Sequence, residues 1–299
     1  MKPPLVTENL SKAFDGRTAL RSLTLTVPAG RVVGLIGRNG SGKTTLLNLA
    51  CGLLLPSAGT CTTLGRLARD LDTPELTRLG VVQQEGRFLE WMTVRQHLDF
   101  TASFYPAWDR ARERRLLTDL ELDEKRKIAQ LSPGDRQKLG ILLGVCHHPA
   151  LLLLDEPVSA LDPIVRAQLL GFLIDLIRED ACTIVISSHI LADVEKIIDW
   201  VVCLDAGELT THTGFDELQE TYAEWIVTAT VGGRLPEQFA EPFVLSRSGD
   251  ARRAKLRVRR PAPDASARFA ATHQAEIEMR PLNLEEMFPL LVDRQKNQP

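Results

Sequence analysis

Four short apolar runs recur along this chain without the alternation of a half-exposed strand: Val32-Val33-Gly34-Leu35-Ile36 and residues 151–154, 182–186 and 201–204. Unbroken runs of this length suit strands buried on both faces, as a parallel sheet requires. Between them the apolar positions take helical spacing. Residues 43–51 predict a helix stopped by Gly52 and Pro56. Residues 163–178 predict another, with Pro163 suited to its first turn. Residues 86–150 are helical in pattern and rich in charge, and residues 110–127 within them form a solvated amphipathic face. Strands alternating with helices predict an α/β fold around a mostly parallel core sheet. Ahead of it, residues 5–33 read as short strands with turns at Asp15-Gly16 and Pro28-Ala29-Gly30.

The texture changes after about residue 215. Residues 225–231, 243–246, 255–258 and 276–279 predict short strands, and residues 265–273 and 284–292 predict helices. The expected organisation is a large α/β domain over residues 1–215, with a helical insert at about 86–150, and a small α+β domain over residues 216–299.

Composition narrows the classes. With 299 residues, 44% hydrophobic and 25% charged, the chain is long and apolar enough to fold as two domains. A net charge of −3 argues against a nucleic-acid partner. The basic cluster at residues 252–260 is interrupted by Ala254, Leu256 and Val258, so it reads as a half-exposed strand. The cysteine count is odd (five) and no CxxC spacing occurs, which favours free buried thiols in a reducing cytosol. Met1-Lys2-Pro3-Pro4 opens without an apolar leader. No apolar run reaches the ~18–20 residues of a membrane helix, so a membrane role is expected to come through a partner chain. His147-His148 lacks a third ligand nearby and reads as a helix end before Pro149, not a metal pair.

Two motifs carry chemistry. Gly37-Arg38-Asn39-Gly40-Ser41-Gly42-Lys43-Thr44 fits the phosphate-binding P-loop. Its glycines let successive N–H groups curl around an anion, and the following helix presents its positive end. Lys43 supplies charge for the β- and γ-phosphates, and the Thr44 hydroxyl can ligate Mg²⁺. The second motif is the run 151–154 delivering Asp155 and Glu156 at its end. Strand ends are where open α/β sheets bind ligands. Asp155 suits Mg²⁺ binding, and Glu156 suits orienting and deprotonating a water. A chance glycine turn and two solvated loop carboxylates are the competing readings; the strand before and the helix after the P-loop speak against both.

Further segments resemble the ATP-binding-cassette (ABC) family. Leu131-Ser132-Pro133-Gly134-Asp135-Arg136-Gln137 resembles its signature sequence, usually L-S-G-G-Q. Ser159-Ala160-Leu161-Asp162 resembles its D-loop and Ser187-Ser188-His189 its switch histidine. Gln84 sits as its Q-loop glutamine, and Phe14 as its adenine-stacking aromatic. All come in the family's order, over roughly residues 5–215. The resemblance implies a P-loop NTPase fold with an antiparallel β subdomain and a helical subdomain. It implies ATP and Mg²⁺ as ligands, with catalysis by Lys43, Glu156 and His189. Nucleotide contacts would come from Phe14, residues 37–45 (Gly37 to Thr45), Gln84, Ser132, Gly134 and Asp162, and metal contacts from Thr44, Gln84 and Asp155. Ser132 and Gly134 would act on the ATP of a second ABC ATPase subunit, the same chain or a paralogue. A transmembrane permease would be the other partner, placing the chain in the cytoplasm on the inner face of the cell membrane.

The sequence departs from the family at three places. Pro133 and Asp135 replace a glycine and a glutamine, which predicts slower turnover, and Phe14 replaces the commoner tyrosine. After Gln84, a stretch carrying Phe88, Leu89, Trp91 and Met92, with a helix cap at Thr93, resembles the permease-facing groove, and Trp91 is the expected contact. Segments 104–109 and 282–288 resemble ATPase subunits of drug-resistance and ABC-2 exporters. Two other classes fit the sequence less well. A soluble ABC ATPase acting on ribosomes or nucleic acid is disfavoured by the single P-loop and the short interval from Lys43 to Ser132. A non-hydrolysing nucleotide switch is disfavoured by Glu156 and His189.

Overall fold

The computed structural model describes residues 2–84, 86–259, 261 and 264–292, with the side chains of 177–180 excepted. Arg260 of the basic cluster therefore lies outside the described residues, as does the end of the 216–299 region.

The chain divides after His212 into two compact units. The first opens with a hairpin, β1 (Leu5–Phe14) and β2 (Arg17–Val27), whose buried positions alternate along β2. Then come β3 (Val32–Gly37), buried at every position, and α1 (Lys43–Ala50). β4 (Ala58–Thr63), β5 (Arg66–Leu67), α2 (Thr73–Leu76) and β6 (Leu79–Val82) follow. The helical segment holds α3 (Val94–Ala102), α4 (Arg110–Asp119) and α5 (Pro133–Val145). The unit closes with β7 (Leu151–Asp155), α6 (Pro163–Asp180), β8 (Thr183–Ser187), α7 (Leu191–Val194), β9 (Trp200–Asp205) and β10 (Glu208–Gly214).

These strands form two sheets. One is small, in the order β2-β1-β4-β5, and its pairings are antiparallel. The other has six strands in the order β10-β9-β3-β8-β7-β6, and β9, β3, β8, β7 and β6 run parallel. β7 and β8 are buried throughout, as their unbroken apolar runs require. Leu46, Leu47 and Leu49 of α1 share one apolar cluster with Leu20 and Leu25 of the small sheet and Leu153, Val185 and Val202 of the large one. The P-loop helix is thus clamped from both sides, which fixes where its N-terminus points.

The second unit contains α8 (Phe215–Thr221), β11 (Tyr222–Ala229), β12 (Val244–Gly249), β13 (Arg253–Arg259), α9 (Ala265–His273), β14 (Ala275–Pro281) and α10 (Leu284–Val292). Its antiparallel sheet has the order β12-β13-β11-β14. Burial alternates along β13, as the interrupted basic cluster predicted, and Leu256 and Val258 join Trp225, Val227 and Phe269 in its core. All five cysteines are free thiols, four of them buried. Among the described residues no helix is long and apolar enough to cross a membrane.

Candidate functional site

At Gly42 the turn from the P-loop into α1 makes a strict demand on the backbone. Gly42 has φ of +107°, and a Cβ there would fall 2.6 Å from Leu20 Cδ2 and 2.8 Å from the Ala19 carbonyl. Only glycine fits that backbone so close to the β2 strand. As N-cap of α1 it offers no side chain, so the first-turn N–H groups are left for an anion. The loop is braced from outside: Gly207 N–H donates to the Ser41 carbonyl at 3.1 Å, and Arg21 N–H to the Gly207 carbonyl at 2.8 Å.

Lys43 folds back over this loop. Its Nζ donates to the carbonyls of Gly37 (2.9 Å) and Arg38 (3.2 Å). Burial lowers its pKa, opposed by the nearby carboxylates of Glu156 and Asp155. An anion entering the loop would relieve that burial cost by pairing the ammonium.

The loop forms one wall of a cleft of ≈ 1050 Å³. Phe14, Asn39, Gly40, Gly42, Lys43, Thr44, Thr45, Gln84, Glu156 and His189 all line it. Gly37, Arg38 and Ser41 belong to the loop and do not line the cleft. Ser41 is buried and gives its N–H to the Arg38 carbonyl at 3.1 Å. The Phe14 ring is 42% exposed at the cleft edge, with Lys12 Nζ 4.8 Å from its centroid.

Asp155 and Glu156 leave the end of β7 buried. Asp155 Oδ1 accepts from the Ser187 hydroxyl at 2.7 Å. Glu156 has φ of +51°, a left-handed backbone uncommon outside glycine and asparagine. Its Oε2 lies 2.6 Å from His189 Nδ1 and 3.3 Å from the His189 N–H. His189 is half-exposed, so a buried carboxylate meets the cleft through a solvent-facing imidazole.

Ser132, Gly134 and Asp162 stand apart from this cleft. Ser132 is the N-cap of α5, accepting from the Asp135 N–H at 3.1 Å. Pro133 follows at the first helical position, where a missing N–H costs nothing. Asp135 is flanked by Arg126 at 3.4 Å and Lys138 at 3.6 Å, so its charge is countered locally. Asp162 accepts from the N–H groups of Ile164 (2.9 Å) and Val165 (3.1 Å) at the start of α6, bonds that lower its pKa.

Sequence reading missed six cleft residues, Gly16, Thr18, Ala19, Ala206 and the two charged ones, Arg17 and Arg21. Both lie on β2, four apart, on the side opposite buried Leu20. Period-two spacing of the basic residues was the available signal. It adds positive charge to a cleft that already holds Lys43, as a polyphosphate would need.

A second cavity of ≈ 460 Å³ lies on the helical side, lined by Phe88, His97, Tyr105, Gln137 and His147 among others. Trp91 is 70% exposed and does not line it.

A sequence profile of the ABC transporter family matches residues 20–159. The chain is 33% identical over 220 residues to the ABC transporter ATP-binding protein YtrB of Bacillus subtilis, covering 71% of this chain and 73% of that one. It is 31% identical over 243 residues to the bacitracin transport ATP-binding protein BcrA of Enterococcus faecalis, covering 81% and 79%. Among solved structures, an ABC transporter ATP-binding subunit superposes with a TM-score of 0.65 at 28% identity, covering 72% of this chain and 91% of its own. A dimeric ATP-binding cassette in a post-hydrolysis state with ADP and Pi superposes at 0.62 with 26% identity, covering 70% and 98%.

Proposed function

The chain belongs to the ABC transporter family as an ATP-binding, ATP-hydrolysing subunit that powers a separate permease, and on that premise we propose how its own residues do the work. The observation that carries the reading is the buried Glu156 carboxylate, 2.6 Å from His189 Nδ1 in the same cleft as Lys43 and the bare N-terminus of α1. ATP lays its phosphates against the first-turn N–H groups of α1, and Lys43 exchanges the Gly37 and Arg38 carbonyls for phosphate oxygens. Arg17 and Arg21 add charge from β2 beside the loop, and Phe14 stacks on the base. Glu156 orients the attacking water and takes its proton, while His189 holds the carboxylate in place.

The donors near the loop also suit Mg²⁺. A hydroxyl (Thr44), a carboxylate (Asp155) and an amide oxygen (Gln84) are the hard oxygen ligands that cation prefers. When bound there, Mg²⁺ would neutralise charge on the phosphates.

Ser132, Gly134 and Asp162 lie outside the cleft of their own chain, which supports a role on the ATP of a second cassette. That partner is a second cassette, a copy of this chain or a paralogue. The other partner is a permease docked on the helical side, around Phe88, which places the chain on the inner face of the membrane. Likeness to a bacitracin transport protein and to exporter-type segments favours export. Residues 1–215 would form the motor and residues 216–299 a brace for the dimer.

The test is Glu156→Gln with MgATP, following mass in solution and phosphate release. Expected are retained ATP binding, turnover lowered by ~10²-fold or more, and an ATP-dependent shift from monomer to dimer. A variant that hydrolyses ATP like the parent would remove Glu156 from the mechanism. One that binds ATP and stays monomeric would point to a different partner cassette.

A further inference from the structure

One hydroxyl at the C-terminal end of the parallel strands serves both acidic residues of the site. β7 and β8 run parallel, and their register sets Asp155 opposite Ser187. Ser187 is fully buried. Its Oγ lies 2.7 Å from Asp155 Oδ1 and 2.9 Å from the Glu156 backbone nitrogen. The sense of both bonds follows from chemistry. A backbone N–H can only donate, so Oγ accepts from Glu156. A carboxylate accepts, so the single hydroxyl proton goes to Asp155. The hydroxyl is left with no freedom to point elsewhere.

Each bond restrains something the reaction needs. The bond to Oδ1 checks rotation of the Asp155 carboxylate. The bond from Glu156 N–H holds the peptide that enters the left-handed conformation at φ of +51°. Two residues further on, His189 takes the other end of Glu156, meeting Oε2 through its ring at 2.6 Å. Segment 187–189 therefore grips Glu156 by backbone and by side chain. The neighbouring Ser188 does none of this. Its Oγ bonds only within its own turn, accepting from the Ile190 N–H at 2.9 Å and reaching the Ile190 carbonyl at 3.4 Å.

We propose that Ser187 is a positioning residue for ATP hydrolysis, setting through one hydroxyl both the Asp155 carboxylate on the metal side and the backbone that aims Glu156. The proposal rests on the roles given above to Asp155 and Glu156. A buried serine that merely fills space would affect stability alone. A positioning serine splits the properties of the site, because nucleotide binding without metal uses the loop and Lys43, not Asp155.

The experiment compares the parent chain, Ser187→Ala and Ser187→Thr. A fluorescent ATP analogue reports affinity in EDTA and in Mg²⁺, phosphate release reports turnover, and thermal unfolding reports folding. For Ser187→Ala the expected result is affinity in EDTA within about twofold of the parent. The gain in affinity from Mg²⁺ and the turnover should each fall by roughly 10- to 100-fold. Ser187→Thr keeps the hydroxyl and should recover most of both. The proposal is overturned if folded Ser187→Ala keeps parental turnover and Mg²⁺ response. It is also overturned if affinity drops equally in EDTA and Mg²⁺, or if folded Ser187→Thr does no better than Ser187→Ala. Should Ser187→Thr fail to fold, the EDTA and Mg²⁺ split in Ser187→Ala decides alone. Failure of the underlying site reading is separate: it would appear as a parent with no MgATPase, or as Glu156→Gln turning over normally.

Discussion

Acid should weaken the first unit through one histidine, and the size of the effect follows from the surroundings of His147. The side chain is 3% exposed and stacks on Tyr105 with ring centroids 4.2 Å apart. Its Nε2 lies 3.2 Å from the Leu79 carbonyl, while among the described residues Nδ1 makes no well-aligned hydrogen bond. A carbonyl only accepts, so Nε2 carries the proton of the neutral ring and Nδ1 is bare. A second proton would have to sit on that buried nitrogen. Burial accordingly lowers the pKa from 6.5 to about 4, with adjacent His148 adding to the fall and the carbonyls of Leu79 and Leu143 opposing it. The unfolded chain binds this proton near its ordinary pKa and the folded chain does not. The contribution is thus fully present above about pH 6.5 and is lost as pH falls toward about 4. A depression of about 2.5 pKa units corresponds to roughly 3 kcal/mol in the limit and about 2 kcal/mol by pH 5. His147→Gln keeps a donor for the Leu79 carbonyl and cannot titrate. Burial also lowers the pKa of His97 and His212, which titrate the same way in both proteins and cancel in the difference. Urea denaturation at about pH 7.5 and about pH 5 should show the parent losing about 2 kcal/mol more than His147→Gln. Equal losses in the two proteins would refute the assignment of a buried neutral imidazole.

Two further outcomes concern nucleotide handling. Phe14→Ala removes a ring at the cleft edge and should weaken ATP binding by about fivefold in a nucleotide titration, since an aromatic stack contributes ~0.5–1.5 kcal/mol; unchanged affinity would leave Phe14 as a strand residue only. Pro133→Gly with Asp135→Gln should raise ATP turnover by only about threefold, because Arg126 and Lys138 already counter the Asp135 charge; a rate no faster than the parent would show that this signature is no brake.

What could be read directly from sequence was chemistry set by short spacing. The P-loop and the Asp155–Glu156 pair needed only a strand before and a helix after, and apolar runs announce those. The strands and helices expected past residue 215 also appear, because alternation along β13 and helical spacing over residues 265–273 are local properties. Long-range register was beyond reach. Nothing near residue 187 says that its hydroxyl meets Asp155; that follows from the pairing of β7 with β8 across 32 residues. Arg17 and Arg21 belong to the cleft because a hairpin far upstream folds over the loop of Gly42. In the sequence Pro133 stands only as a replaced signature glycine, and its place at the first turn of α5 depends on Ser132 acting as cap, which both a loop and a helix start would allow.

The same contrast separates residues that make the site from residues that hold it. Lys43 and Glu156 carry groups whose chemistry is needed wherever the fold puts them, so their types alone are informative. Ser187 carries an ordinary hydroxyl that matters through two distances, 2.7 and 2.9 Å. Its importance is geometric, and geometry between paired parallel strands is set by segments distant in sequence. Perturbing it should disturb metal-dependent properties while sparing the loop that binds phosphate. Perturbing Lys43 should do the reverse, abolishing binding whether or not Mg²⁺ is present.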